Sequence, residues 1–223
     1  MNEILISEDG SHTLRSELFG VTYHSIHGAI TEGKVVYIEA GLKYVFDQGL
    51  RSINLFEMGF GSGLNALLSL EFAKLNNCHI FYTGIEMYPL ATQEYEALNY
   101  PAIFTNPNVK SAFLDMHKSL SEEIVVLDEH FTFKKIIGKL EDFTSQELYD
   151  VIYFDAFSPD VQSNLWEREM MEKMYNMLAP NGVLTTYCAK GEFKRVLAAC
   201  GFRIENLPGP PGKREITRAI KLE

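Results

Sequence analysis

Cysteine is scarce in this chain of 223 residues. Cys78, Cys188 and Cys200 are odd in number and lack CxxC-type spacing, so neither a disulfide framework nor a zinc site is expected, only reduced thiols packed inside. Long apolar runs are missing too: no stretch approaches the ~20 residues of a membrane-spanning helix. Met1 to Asp9 mixes acids with short apolar pieces, where a secretion signal needs a basic start and an apolar run. A soluble, cytoplasmic protein with no membrane partner is the expectation. There is no Ser/Gly-rich linker, low-complexity tract or fixed-period repeat, and 46% of the residues are hydrophobic. One domain over residues 1–223 is therefore expected, with 1–50 as an N-terminal segment and 51–223 as the core.

Positive charge is also short. Twenty Lys and Arg face 30 Asp and Glu, a net charge of −10, which taken whole argues against a nucleic-acid partner, because phosphate binding draws on Lys and Arg. The distribution softens this. From Cys188 to Glu223, eight Lys and Arg stand against four Glu, a local +4 that leaves −14 for the rest. A solvated helix face with an edge strand would explain the basic end equally well.

What is present is an alternation of strand and helix patterns. Residues 53–58 (INLFEM) read as a buried strand ending at a glycine-rich turn, and Leu64, Leu67, Leu68 and Phe72 then fall at helical spacing. Ile80 to Ile85 is a second buried strand, followed by Glu86, and Pro89 suits the first turn of a helix running toward Asn99. Residues 124–137 look like a hairpin turning at Asp128-Glu129, Val151 to Phe154 is an apolar strand closed by Asp155, and 165–178 is helical until Pro180-Asn181-Gly182 breaks it. Strand 183–187, helix 192–200, strand 202–206 and a strand near 215–220 complete the pattern. Such alternation predicts an α/β fold with a mostly parallel sheet. The PGPPG link between the last two strands leaves no room for a helix, so an antiparallel C-terminal edge hairpin is expected.

Ligands of these sheets bind beyond the carboxyl ends of the strands. Glu57, Glu86 and Asp155 all fall there, and Gly59, Gly61 and Gly63 alternate between the first two, followed by Asn65. Glycines at such a turn let the backbone bend sharply and approach a ligand. A dinucleotide site wants GxGxxG, whereas this loop reads GxGxG with an acid just before it, poorly placed for a pyrophosphate. S-adenosyl-L-methionine carries an ammonium, a sulfonium and a ribose but no phosphate, which suits Glu57 at the amino-acid end and Glu86 on the ribose hydroxyls. Solvated strand-end acids are the plain alternative. Asp155 opens DAFSP, where a carboxylate could orient an amine and take its proton while Phe157 lies against a cation; a helix cap and ordinary packing are the competing roles. His24 and His27 have no third ligand at a telling spacing, so a metal site is not expected, and Trp166 and Tyr187 read as core.

Four ordered stretches, FEMGFGSGLN, YDVIYFDAFSPD with its following LW, TYCAKGEFKRVLAACGF and GPPGKRE, together resemble the MnmC-type tRNA methyltransferases. The upstream DGSHTLRSELFGVTYHSIHGAI is similar to the free-standing, MnmD-like form of that family. The resemblance implies a Rossmann-like class I S-adenosylmethionine methyltransferase that methylates the 5-aminomethyl group of wobble 2-thiouridine in tRNA. It implies a cofactor held by Glu57, Gly59, Gly61, Gly63, Asn65 and Glu86, with Lys139 and Leu140 as adenine-side candidates beside Glu141 and Asp142. Asp155 would be catalytic, and Phe157, Lys213 and Arg214 would meet the substrate. Lys190, Lys194 and Arg195 would gather with Lys213 and Arg214 as the tRNA-binding patch. The flavin oxidase fused to some members finds no place in this sequence, so a separate oxidase or aminomethylating enzyme would supply the amine. Two readings stay open beside this one: methyl or aminopropyl transfer to a small soluble amine, as in the spermidine synthases, and a non-catalytic nucleoside sensor.

Overall fold

The structure is a computed structural model and describes residues 1–104 and 108–223. It opens with a small antiparallel pair, β1 (Glu3–Ile6) and β2 (His12–Arg15). Next comes one continuous helical stretch in three parts: α1 (Ala29–Gly33), a π-helical segment (Lys34–Leu42) and α2 (Lys43–Asp47). The main sheet then begins with β3 (Ser52–Met58), followed by α3 (Leu64–Asn76) and β4 (His79–Glu86). Short helices α4 (Thr92–Glu96) and α5 (Tyr100–Ile103) precede α6 (Val109–Lys118) and the hairpin β5 (Ile124–Asp128) and β6 (Phe131–Ile137). The chain closes with β7 (Tyr149–Phe154), α7 (Arg168–Met177), β8 (Leu178–Thr186), α8 (Gly191–Ala199), β9 (Phe202–Pro208) and β10 (Glu215–Lys221).

The eight-stranded sheet runs β5-β6-β4-β3-β7-β8-β10-β9. β6, β4, β3, β7 and β8 are parallel, while β5 and β10 pair antiparallel to their neighbours. The central strands are apolar because both faces are covered. Ile53 and Leu55 of β3 join the cluster under α3 and the π-helical segment, whereas Phe56 joins the cluster under α7 and α8. α3 forms because Leu64, Leu67, Leu68 and Leu70 are strong helix formers, most of them on one buried stripe. It stops at Asn77, whose φ of 50° ends the helix in the left-handed region. β9 and β10 form the expected antiparallel edge hairpin.

Three sequence expectations need correcting. Pro89 does not start a long helix: the chain bends at 87–88 and stays irregular to Ala91, and α4 is a single short turn before Leu98. The helical pattern over 165–178 divides into a 3-10 turn (Ser163–Trp166) and α7, with Glu167 extended between them. Pro180-Asn181-Gly182 is not a break before a strand but a bulge inside β8. Tyr149 pairs with Leu178 and Val151 with Val183, so the intervening residues loop out, with Asn181 at φ 63°.

Candidate active site

β3 is the turning point of the sheet: later strands lie on one side as β4 and β6 and on the other as β7 and β8. A cavity of about 800 Å3 opens there, at the carboxyl ends of β3, β4 and β7, within the size range of small-molecule sites. Its wall takes in the glycine loop from Gly59 to Ser62, Glu86 and the residues after β4, Gly138 to Glu141, and Asp155 to Phe157. Phe19, Tyr23 and His24 of the N-terminal segment complete it.

Asp155 follows the last residue of β7, and its N–H donates to the Met58 carbonyl (3.0 Å), tying the two strand ends together. The Tyr37 hydroxyl donates to its Oδ1 (2.5 Å) and the Asn65 amide to its Oδ2 (2.8 Å). Burial pushes this carboxyl up to about 7, with the Tyr37 hydrogen bond pulling the other way and the Glu32 carboxylate adding to the rise. It is therefore poised to exchange a proton near neutrality. Tyr37 comes from the π-helical segment, a geometry often found at functional sites; nothing local in the sequence announces its partner 118 residues away.

Glu86, the last residue of β4, accepts from the Gly61 N–H (2.8 Å) and the Tyr88 N–H (2.7 Å). Burial raises its pKa and those backbone donors oppose the rise. A carboxylate has about four lone-pair sites, so Glu86 keeps acceptor capacity toward the cavity.

Glu57 and Asn65 do not stand on the cavity wall. Glu57 is 1% exposed, and the Tyr82 hydroxyl (2.6 Å) and the Asn65 amide (2.9 Å) occupy its two oxygens. Burial drives its pKa well up, against the Tyr82 hydrogen bond. Asn65 thus bridges two carboxylates behind the wall, a supporting position in place of the expected contact. Gly63 is behind it as well. It starts α3 at φ 75°, where an added Cβ would press on Phe60 and His117 at 3.0–3.1 Å. At Gly59, with φ 90°, a Cβ would lie 2.6 Å from the Asp155 carbonyl. Both glycines are needed by the chain's own close approach; of the three loop glycines, Gly59 and Gly61 line the cavity.

Lys139 and Leu140 do line the cavity, and the Lys173 ammonium fixes that turn by donating to the carbonyls of Leu140 (2.8 Å) and Glu141 (2.6 Å). Phe157 lines it too. Lys213 is placed differently from expectation: its ammonium meets the buried Glu32 carboxylate at 2.5 Å and lies 4.1 Å over the Tyr187 ring. Lys190 pairs with Asp160 and Lys194 with Glu215, so the basic cluster is largely neutralised, while Arg195 and Arg214 are exposed. Trp166 packs on Phe154 and Phe193 in the core. His24 and His27 do not act together. His24 is hydrogen-bonded to the Ser62 hydroxyl at 2.8 Å, with burial holding its pKa down to about 4, and His27 faces Glu8. Among the described residues no group of three His, Cys, Asp or Glu is placed to hold a metal ion.

The wall carries Glu17, Glu86, Glu94, Glu141 and Asp155. Its cations are Lys139 and the Met1 amino group, which is itself paired with Glu17. A pyrophosphate would meet repulsion from such a wall, whereas a ligand bearing an ammonium, a sulfonium and ribose hydroxyls fits it. Among the described residues, no helix is long and apolar enough to cross a membrane.

Comparisons with known proteins agree. A family model described as an S-adenosyl-L-methionine-dependent methyltransferase matches residues 105–222. Among curated relatives, the tRNA 5-methylaminomethyl-2-thiouridine biosynthesis bifunctional protein MnmC of Aromatoleum aromaticum is 26% identical over 96% of this chain and 34% of its own length. An uncharacterized protein of Methanocaldococcus jannaschii is 27% identical over 96% of this chain and 58% of its own length. The chain thus spans about a third of the MnmC relatives it matches. The crystal structure of MNMC2 from Aquifex aeolicus superposes with a TM-score of 0.83 at 22% identity, covering 100% of this chain and 71% of that one, a likeness of fold. A cavity at the strand reversal, walled by acids, and a family match over residues 105–222 lead to one conclusion: the chain belongs to the S-adenosyl-L-methionine-dependent methyltransferases.

Proposed function

We propose that the protein transfers a methyl group to the 5-aminomethyl nitrogen of wobble 2-thiouridine in tRNA, as the names of its MnmC relatives suggest. Bound S-adenosylmethionine supplies an electrophilic methyl group on a sulfonium. Glu86 would accept from the ribose hydroxyls, the Gly59–Gly61 backbone would lie along the ligand, and the turn at Lys139 and Leu140 would border the adenine.

The observation that carries the reading is Asp155. It lines the same cavity as the glycine loop and Glu86, and each of its oxygens has one donor and a spare lone pair. An alkylamine near neutral pH is protonated, with a pKa of ~10.4 for a lysine-like amine, and its nitrogen has no free lone pair. Asp155 would hold the ammonium by a charge-assisted hydrogen bond, take one proton onto a carboxylate oxygen, and leave the nitrogen lone pair free to form the new N–C bond as the S–methyl bond breaks, its electron pair staying on the sulfur of the departing thioether. Tyr37 and Asn65 hold the carboxylate in place while this occurs. Phe157 stands beside it on the wall, where its ring face would favour a cation.

Transfer to a small soluble amine is a second reading, favoured by the acidic wall and by the pairing of Lys190, Lys194 and Lys213 with acids. Mass spectrometry of nucleosides separates the two. Aminomethyl-bearing tRNA incubated with the protein and S-adenosylmethionine should yield 5-methylaminomethyl-2-thiouridine. An unchanged tRNA beside a methylated polyamine would select the second reading.

A further inference from the structure

We propose that Phe19 and Tyr23, carried over the cavity by the N-terminal segment, join Phe157 in an aromatic acceptor subsite that takes a flat, amine-bearing ring such as an unstacked nucleobase. The proposal rests on the methyltransferase reading of the cavity and adds which residues select the acceptor.

Phe19 and Tyr23 come from the N-terminal segment and meet Phe157, two residues after Asp155. Phe19 lies 4.9 Å from Phe157 at 47°, Tyr23 lies 5.2 Å from Phe157 edge-on at 83°, and Phe19 also reaches Tyr88 at 5.9 Å. All four line the cavity. None is fully buried, in contrast to Tyr37, Tyr82 and Tyr153, which are sealed in the core. A cluster serving only to anchor the segment would be expected to close over its rings; this one leaves ring surface toward the cavity.

Tyr23 also ties the cluster to the glycine loop. Its ring sits where a Cβ on Gly61 would come within 3.1–3.3 Å, so it touches the glycine loop as well as Phe157. Tyr88 ties the cluster to the end of β4, where its N–H donates to Glu86. Aromatic walls recognise planar rings by stacking and cations by their quadrupole, and stacking tolerates any base because every base has a π-face. Enzymes that modify bases read them extruded from their stack, between such side chains. The rim fits a large acceptor as well: Leu18, Met87 and Tyr88 are 63%, 41% and 44% exposed around the same cavity. An aliphatic polyamine has no ring to stack and would draw on Phe19 and Tyr23 only through its cations, a smaller gain than stacking and cation contact together.

The test is calorimetric, on the full chain saturated with S-adenosylhomocysteine, titrated with free 5-aminomethyl-2-thiouridine nucleoside and separately with spermidine. Phe19→Leu and Tyr23→Leu keep apolar bulk but remove the ring faces; each should weaken nucleoside binding about tenfold, equivalent to ~1.4 kcal/mol. Tyr23→Phe should bind as wild type, and S-adenosylhomocysteine affinity and thermal midpoint should hold in every variant. The proposal is overturned if wild type binds no nucleoside, if the Leu variants bind it undiminished, or if S-adenosylhomocysteine affinity falls in parallel. Spermidine losing affinity as strongly as the nucleoside would overturn it too. The tRNA reading fails separately: a protein that binds the nucleoside through these rings but methylates no tRNA keeps the subsite and loses that substrate.

Discussion

Asp155 is where burial and hydrogen bonding pull against each other. Burial lifts the carboxyl from 3.8 to about 7, and the Tyr37 hydroxyl at 2.5 Å is the strongest force pulling it down. Tyr37→Phe removes a donor to the ionised form, so the pKa should rise further and the acid limb of the kcat profile should move to higher pH. The rate at pH 7 should fall and recover in alkali; an unmoved limb would detach Tyr37 from the chemistry. Asp155→Asn should lower kcat by ~10²–10⁴, the span usual for a general base, with cofactor affinity held. The same shift has a sign in stability. A carboxyl raised in the folded state contributes stability that is intact below the unfolded value near 3.8 and lost as pH climbs through about 7. Urea midpoints of Asp155→Asn relative to wild type should therefore improve between pH 4 and pH 8. Glu57 and Glu86 make a contrasting pair. Glu86→Ala should cost S-adenosylmethionine binding ~1.5–3 kcal/mol, the range for hydrogen bonds to a charged group. Glu57→Gln, behind the wall and already bonded to Tyr82 and Asn65, should leave affinity nearly unchanged. Equal losses by calorimetry would put Glu57 back in contact with the ligand.

At the scale of elements, the glycine loop is squeezed between the ends of β4 and β7. Gly59 donates to the Ile85 carbonyl at 3.1 Å, and its missing Cβ leaves room for the Asp155 carbonyl. Gly59→Ala should cost about 1–3 kcal/mol of backbone strain and displace Asp155, lowering both the denaturation midpoint and the rate. Gly61→Ala, whose tight contact is with the movable Tyr23 ring, should be milder in its contacts despite a similar backbone penalty. These elements explain what the sequence could and could not reveal. β3, β4 and β7 were legible because strands covered on both faces need unbroken apolar runs, and their closing acids follow directly. A mostly parallel sheet with an antiparallel C-terminal hairpin could be expected, but the strand order and the contacts across it could not. Glu57 and Glu86 look alike as strand-end acids, yet Tyr82 and Asn65 enclose only the first. Tyr37, Phe19 and Tyr23 belong to residues 1–50, where a nine-residue π-helical segment and a two-stranded hairpin give no clean period. Lys213 looked like a surface cation because its partner, Glu32, is 181 residues away in sequence.

Over the whole molecule, the excess of acid sets how a polyanion can be met. With a net charge of −10, and with Lys190, Lys194 and Lys213 each paired with an acid, few cations of the basic C-terminal part remain to displace counterions from phosphate. Arg195 and Arg214 are exposed and are the residues expected to carry that role. Each phosphate contacted adds about −0.7 to −0.9 to the slope of log affinity against log salt, so the slope for tRNA should be shallow. Arg195→Ala with Arg214→Ala should flatten it by up to ~2. Lys213→Ala should leave the slope alone and instead destabilise the fold, because it strands the buried Glu32 carboxylate. The most direct measurement is the KM for aminomethyl-bearing tRNA across a salt series, run beside the free nucleoside and a polyamine. The tRNA should be the best substrate at low salt, with an advantage that shrinks gently as salt rises and shrinks less in the double arginine variant. A nucleoside or polyamine methylated as efficiently as tRNA at every salt concentration would contradict the assignment to tRNA.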